Sequence, residues 1–463
     1  MIMMMFLLLF IILSLLSLSL SLKSTSSSSL TTTSSSRLSY KKDSNGVNGV
    51  NKDIDVISKD NNDNKGGVNT IAALLSATSL IAGTTVGAGI LALPAVAIKP
   101  GFIYSSIGLI GAWMYMVSTG LLIAEVSCNS VAKDPINKDS GILALTRNII
   151  GSKEATISGL VYIFIHYALL IAYIAEAGDI INQTFNIQSL YIGPILFTSI
   201  IGSIVAFGSS SLIELTNNIF VIIVFISFIS LVLIGLPLVN ISNLLTGDIH
   251  SLGSTIPVML VALVYHNIVP SICSLLKYDK NSIQKVIVTG SFIPLLMFLI
   301  WNFVILGIGN NDVGVGVGVE GFDPVNTLRQ GSGNQLVSSF ISIFSESAII
   351  TSFLGFVIGL MSFYTDVFPN KSNRDLGLYS LVLLPPLIVA LYNRNIFLNA
   401  LDYAGSYGIS LLFGAIPCLL SWKLRDKYKD DIKFKYENFI PFGSTSLIVI
   451  LILTGYVVVQ KLI

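Results

Sequence analysis

The chain has 463 residues, 53% of them hydrophobic and only 11% charged, where a soluble domain carries about a quarter. Its mean hydropathy of +0.81 and its repeated apolar runs of about twenty residues describe a polytopic α-helical membrane protein. The runs are continuous rather than alternating, which excludes a β-barrel, and a net charge of +1 leaves no basic field for nucleic acid.

Residues 1–42 read as a targeting segment. Met1 to Leu22 are apolar and uncharged, broken by serines, and a Ser/Thr-rich tract follows with Lys23, Arg37, Lys41 and Lys42 but no acid before Asp43. This resembles a signal sequence with a plastid-type transit peptide appended; an uncleaved signal anchor is the alternative. Residues 43–69, rich in Asn, Asp, Lys and Gly, are expected to form a disordered linker.

Eleven spans are expected at 70–98, 102–128, 154–181, 189–207, 217–238, 254–276, 285–308, 335–365, 376–393, 396–421 and 443–460. Residues 70–238 and 254–421 read as two five-helix repeats, and 422–463 as a basic loop and a final helix. On the side shared with the N-terminal segment lie Lys133, Lys138, Arg147, Lys153, Lys277, Lys280, Lys285, Lys371, Arg374, Lys423, Arg425, Lys427, Lys429, Lys433 and Lys435. The other side has Lys99, Arg329, Arg394 and Lys461. Fifteen against four places the first side in the cytosol, or in the stroma of a plastid inner envelope.

The first span is interrupted where an ordinary membrane helix carries Leu and Ile. Gly83-Thr84-Thr85-Val86-Gly87-Ala88-Gly89 precedes Ile90-Leu91-Ala92-Leu93-Pro94. Unwound backbone at membrane depth is tolerated only where protein or a water-filled cavity surrounds it. There it offers N–H groups to a carboxylate and carbonyls to an ammonium, which suits a zwitterion. The bland reading is that the glycines only let helices approach closely. A second interruption, Val264-Tyr265-His266-Asn267-Ile268-Val269-Pro270-Ser271, lies five spans later, the spacing of discontinuous helices in inverted repeats. Tyr265, His266 and Asn267 are its candidate ligands.

In the third span Tyr162, His166, Tyr173 and Glu176 share one helical face. Tyr162 is a candidate for substrate, and His166 and Glu176 for proton coupling, because an ionisable group in a membrane helix faces a cavity or a partner. His166 bonded structurally to a neighbour, and Glu176 and Asp179 solvated at the outer end, are the alternatives. The eighth span lines up Ser338, Ser342, Ser345 and Ser352 with Glu346 beside them. Ser345 joins the substrate candidates and Glu346 the proton candidates; hydroxyls bonded to their own helix are the default. Glu125 reads as a gate or a solvated terminus of the second span. Cys128, Cys273 and Cys418 have no metal-ligand spacing, and neither a metal nor a cofactor is expected.

The two interruptions resemble the signatures of the tryptophan/tyrosine permease family, aromatic amino acid permeases of the amino acid–polyamine–organocation superfamily. The likeness runs from residue 70 to the end. It implies a leucine-transporter-type fold in which helices 1 and 6 are discontinuous. It also implies H⁺-coupled uptake of tryptophan or tyrosine, with substrate held between helices one and six and contributions from three and eight. Na⁺ coupling, another amino acid, or a channel or uniporter are the competing readings. An enzyme is not expected, for there is no catalytic carboxylate pair or His-Glu-x-x-His, and no phosphate-binding loop for ATP-driven transport.

Overall fold

The computed structural model describes residues 66–135, 140–309, 335–368, 375–393, 396–429, 431, 434 and 436–462. The targeting segment and most of the linker expected before residue 66, and seven of the charges counted above (Lys138, Arg329, Lys371, Arg374, Arg394, Lys433 and Lys435), lie outside them. The described chain is helical: α1 (Gly66–Thr85), α2 (Gly89–Ala97), α3 (Gly101–Lys133), α4 (Ile142–Ile149), α5 (Ser152–Thr184), α6 (Ile192–Phe207), α7 (Ser210–Gly235), α8 (Ile256–Ala262), α9 (Val269–Leu275), α10 (Lys280–Ile308), α11 (Gln335–Val367), α12 (Leu376–Tyr392), α13 (Phe397–Tyr403), a π-helical segment (Ala404–Ala415), α14 (Ile416–Lys427) and α15 (Ser444–Gln460).

Among the described residues seven helical stretches are long and apolar enough to cross a membrane, and α1 with α2 form an eighth, bent by 54° at its break. The shorter apolar helices α6, α12 and α15 occupy the remaining expected positions. α1 starts at Gly66, so the end of the expected linker is helical.

The packing repeats with a period of five spans. The first span packs on the sixth, the second on the seventh, the third on the eighth and the fourth on the ninth, and the fifth-on-eighth contact is mirrored by the tenth on the third. Because five is odd, the second repeat enters the membrane from the opposite side, which is the geometry of inverted repeats. The third span, α5, is the central post, 72% buried along its most apolar stretch, whereas the fifth, α7, is 28% buried. α7 turns Ile219, Ile222, Ile226, Ile229 and Leu233 outward, as a helix against hydrocarbon does.

Long-range contacts confirm which loops share an end. Asp248 N–H donates to Lys99 O (3.0 Å) and Asn240 N–H to Gly307 O (2.9 Å), and Lys461 pairs with Asp402. At the opposite, basic end, Lys133 pairs with Asp431 (2.8 Å), and Lys423 Nζ donates to Ile150 O (3.2 Å).

Candidate functional site

The first interruption is made of backbone. α1 ends at Thr85, α2 begins at Gly89, and the last helical bond before the break runs from Val86 N–H to Ala82 O (2.9 Å). Ala88 N–H leaves the chain's own helices and donates to Ser352 Oγ of α11 (2.9 Å), while Gly87 N–H meets no backbone carbonyl among the described residues. Two of the glycines are demanded by close approach. A Cβ on Gly87 would run into the Ser352 hydroxyl, and one on Gly89 would lie 2.7 Å from the Cα of Ala262, the last residue of α8. The Gly89–Ala262 contact brings the two interruptions together, because α8 ends where the second one begins. Gly83 has open space instead. With Val86 it borders a narrow slot, too tight for a water-sized sphere, lined by Val221, Val224 and Phe225 of α7 and Thr351 of α11. The hydroxyls of Thr84 and Thr85 bond back to the carbonyls of Leu80 (2.7 Å) and Ile81 (2.8 Å) one turn earlier, a pattern that favours a bend in the helix.

The second interruption is made of side chains. Helix stops at Ala262, a 3₁₀ turn spans His266–Ile268, and α9 resumes at Val269, yet the span does not bend sharply there. Tyr265 and His266 are 1% exposed, and both reach sideways to α3. The Tyr265 hydroxyl donates to Met116 O (3.1 Å), so near Gly120 that a Cβ there would sit 2.6 Å from it. His266 Nε2 lies 2.8 Å from Thr119 Oγ1. The imidazole packs against the Tyr265 ring (4.8 Å) and against Phe413 of the π-helical segment (5.0 Å), and its Nδ1 is buried without a partner. These two sequence candidates therefore turn away from Gly87 toward α3, while Asn267 is exposed at mid-span.

The stripe predicted on the third span pairs in antiparallel register with the eighth. Tyr162 stacks on Phe363 (5.3 Å) and on His166 (3.9 Å). His166 contacts Phe356 (5.1 Å) and backs onto Gly359. Tyr173 lies beside Ser352, and Glu176 beside Glu346. His166 Nδ1 is 2.8 Å from Tyr162 O, and since a carbonyl only accepts, Nδ1 carries the proton. Tyr162 and His166 thus sit in an aromatic cluster toward the basic end, about three and about two turns of helix (about 5.4 Å each) from Tyr173. Ser345, next to Phe344 and one turn from Ala348 in the same buried surface, has a hydroxyl with no partner among the described residues, and Glu346 has an unpaired carboxyl oxygen, Oε1.

Ser352 joins the broken helix to the third and eighth spans. The sequence placed it on the serine stripe without marking it as the contact. Thr119 was not singled out, because a threonine within a helix ordinarily bonds its own backbone, as this one also does to Tyr115 O and Met116 O (3.2 Å each). Asn302 of α10 was also passed over: it is 0% exposed and neither atom of its amide is paired. Glu125, read from the sequence as a gate or a solvated terminus, is 0% exposed and salt-bridged to Arg425, so it is not a solvated terminus. Among the described residues no cluster of His, Cys, Asp and Glu could hold a metal.

The tryptophan/tyrosine permease family model matches residues 70–461. The chain is 31% identical over 360 residues to the tyrosine-specific transport system 2 of Haemophilus influenzae, covering 75% of this chain and 86% of that protein. It is 27% identical over 401 residues to the tryptophan-specific transport protein of Shigella flexneri, covering 83% of this chain and 94% of the relative. Among solved structures, the crystal structure of MhsT in complex with L-phenylalanine superposes with a TM-score of 0.57 at 16% identity, over 84% of this chain and 96% of that one. That likeness, with the period of five in the packing, identifies the fold as the leucine-transporter type.

Proposed function

The chain belongs to the tryptophan/tyrosine permease family, and from that premise we propose that this amino acid permease carries tryptophan or tyrosine together with H⁺ as a secondary active symporter. The reading rests on the Val86–Ala88 break. At the N-terminus of α2, Gly87 N–H meets no backbone carbonyl among the described residues and Ala88 N–H is held only by the Ser352 hydroxyl, so these two groups and the partial positive charge of the helix end can serve the substrate carboxylate. The carbonyl ends of α1 and α8 converge on the same place, since Gly89 touches Ala262, and they accept from the ammonium. Gly83, Thr84, Thr85, Val86, Gly87, Ala88 and Gly89 form this cradle, and Tyr173 and Ser352 close it from the third and eighth spans. Asn267, the exposed polar side chain of the second interruption, is assigned to the substrate as well, Ser345 supplies a spare hydroxyl deeper in the eighth span, and Tyr162 lies along the path toward the basic end. Tyr265 and His266 serve by fixing the second interruption on α3.

Proton coupling is assigned to the Glu176–Glu346 pair. Glu346 keeps one buried oxygen unpaired, and Glu176 stands close enough across the helix interface to act on its charge. Two neighbouring carboxyl groups favour sharing one proton. His166, with one ring nitrogen held by Tyr162 O, supports the geometry of that interface.

The test is uptake of radiolabelled tryptophan and tyrosine by proteoliposomes, with and without an imposed inward proton gradient. Accumulation above equilibrium with the gradient, lost in Glu346→Gln while exchange continues, is expected. Equilibration alone would make the protein a uniporter, accumulation that follows a sodium gradient would replace the coupling ion, and equal uptake of non-aromatic amino acids would remove the specificity. The Ser/Thr-rich basic segment at 23–42 supports delivery to a plastid membrane. A fluorophore fused behind the first seventy residues should collect in plastids, and a reporter found at the plasma membrane would reject that destination.

A further inference from the structure

At the basic end of the second span, Glu125 of α3 is 0% exposed and collects five donors on its two oxygens. Arg425 of α14 grips it bidentately, Nε to Oε1 and Nη2 to Oε2, both at 2.8 Å. Ser421 Oγ donates to Oε1, Tyr436 Oη donates to Oε1 (2.9 Å), and Phe439 N–H donates to Oε2 (2.8 Å). One turn further along α3, Asn129 exchanges two bonds with the Glu437 backbone, each 3.0 Å. From α10, Gln284 Nε2 donates to Phe439 O (2.7 Å). Residues 436–440 therefore form a non-helical strap bound to the second, seventh and tenth spans, with Phe439 and Ile440 buried beneath it.

A buried ion pair is a poor way to glue helices, because apolar side chains of similar size do it at least as well. Its distinguishing property is that it is made or broken as a unit: five donors on one carboxylate reinforce each other in a low-dielectric site. The Arg425 side is incomplete, since Nη1 is buried without a partner, and exposure to water would satisfy it. The elements tied here also grip the second interruption. α3 holds His266 through Thr119 and Tyr265 through Met116. α14 continues the π-helical segment whose Phe413 packs on the other face of the same imidazole. Thr119 precedes Glu125 by six residues, about 9 Å along a helix. A π-helical run of 12 residues is a helix type rarely sustained and common at functional sites, so the tenth span has a built-in place to change.

We propose that Glu125, Arg425 and the 436–440 strap form a latch that holds the basic face of the transporter shut, and that its release frees the tenth span from α3 and loosens the clamp on His266. This rests on the transporter reading but not on the substrate. Cys128, one turn beyond Glu125, and Cys418, one turn before Ser421, are both free and buried, so the protein carries its own reporters. In proteoliposomes of the full chain, Tyr436→Phe should raise the rate of N-ethylmaleimide modification of Cys128 and Cys418 roughly tenfold, the shift expected from losing one charge-assisted hydrogen bond, and Asn129→Ala, which gives up two neutral bonds to the Glu437 backbone, should raise it as well. The unfolding midpoint should stay near that of the parent. Unchanged modification rates would overturn the latch, as would faster modification that comes with a collapse of the unfolding midpoint, which marks a structural tie.

A second arm uses Asn129→Cys with Glu437→Cys in a chain whose three native cysteines are replaced by alanine. Oxidation should stop uptake and dithiothreitol should restore it, whereas a cross-linked protein that transports at the reduced rate constant removes the latch. A parent protein that takes up no amino acid would sink the functional reading instead, while the modification rates would still report on the latch.

Discussion

The two interrupted spans occupy equivalent places in the fold and solve different problems. The first bends by 54°, is built on glycine, and puts only peptide groups at the break, with the Ser352 hydroxyl closing on Ala88 N–H. The second runs through without a sharp bend, and its polar side chains reach out to α3. Unwinding a helix at the midplane can therefore serve to expose backbone or to aim side chains, and the residues at the break decide which. Glycine removes the Cβ that would fill the gap; tyrosine and histidine fill it themselves. On the proposed reading, capture of a small zwitterion falls to the first kind of break and alignment of neighbouring spans to the second.

The largest expected effect tests the first break. Gly87→Leu should lower uptake at least about a hundredfold, with insertion and protein level intact, because the new side chain occupies the space of the Ser352 hydroxyl and disorders a site whose geometry tolerates errors of about 1 Å poorly. Uptake per milligram of reconstituted protein measures it, and near-parental activity would erase the distinction between the breaks. Gly89→Val comes next. Its Cβ would approach Ala262 Cα to 2.7 Å, so overpacking of about 1–3 kcal/mol should appear as a lower unfolding midpoint together with weaker uptake. At the second break, His266→Ala should cost about 1–3 kcal/mol of stability through the stranded Thr119 contact and raise the half-saturating substrate concentration only modestly. An effect on substrate as large as that of Gly87→Leu would mean that His266 touches the substrate and that the two breaks act alike.

Much of this architecture was legible in the chain. The positions of the spans follow from the apolar runs, because hydrocarbon makes polar interruptions costly, although three of them are shorter helices than the runs suggest. The breaks were visible because glycine, proline and a Tyr-His-Asn triplet are out of place at mid-depth. The stripes on the third and eighth spans could each be read from helical periodicity, but not the register that sets Tyr173 beside Ser352 and Glu176 beside Glu346. Which way Tyr265 and His266 point was illegible, since a 3₁₀ turn rotates side chains by 3.0 rather than 3.6 residues per turn. Glu125 and Arg425 are 300 positions apart, and no local pattern links them. Counting Arg425 as a loop charge missed that its side chain is 11% exposed.

The smallest effect is the most discriminating, because its sign is at stake. Ala88 N–H donates to Ser352 Oγ at 2.9 Å. A substrate carboxylate that uses this N–H must displace the hydroxyl, giving back a neutral hydrogen bond worth about 1 kcal/mol. Ser352→Ala removes the competitor, so the half-saturating concentration should fall about fivefold while the maximal rate changes little. If Ser352 is instead a strut that holds the bend, the same variant loosens the break and the concentration rises. Initial uptake rates across a range of tryptophan concentrations separate the two. A rise would make the first break a side-chain-anchored joint like the second, and the carboxylate would then have to bind elsewhere on α2.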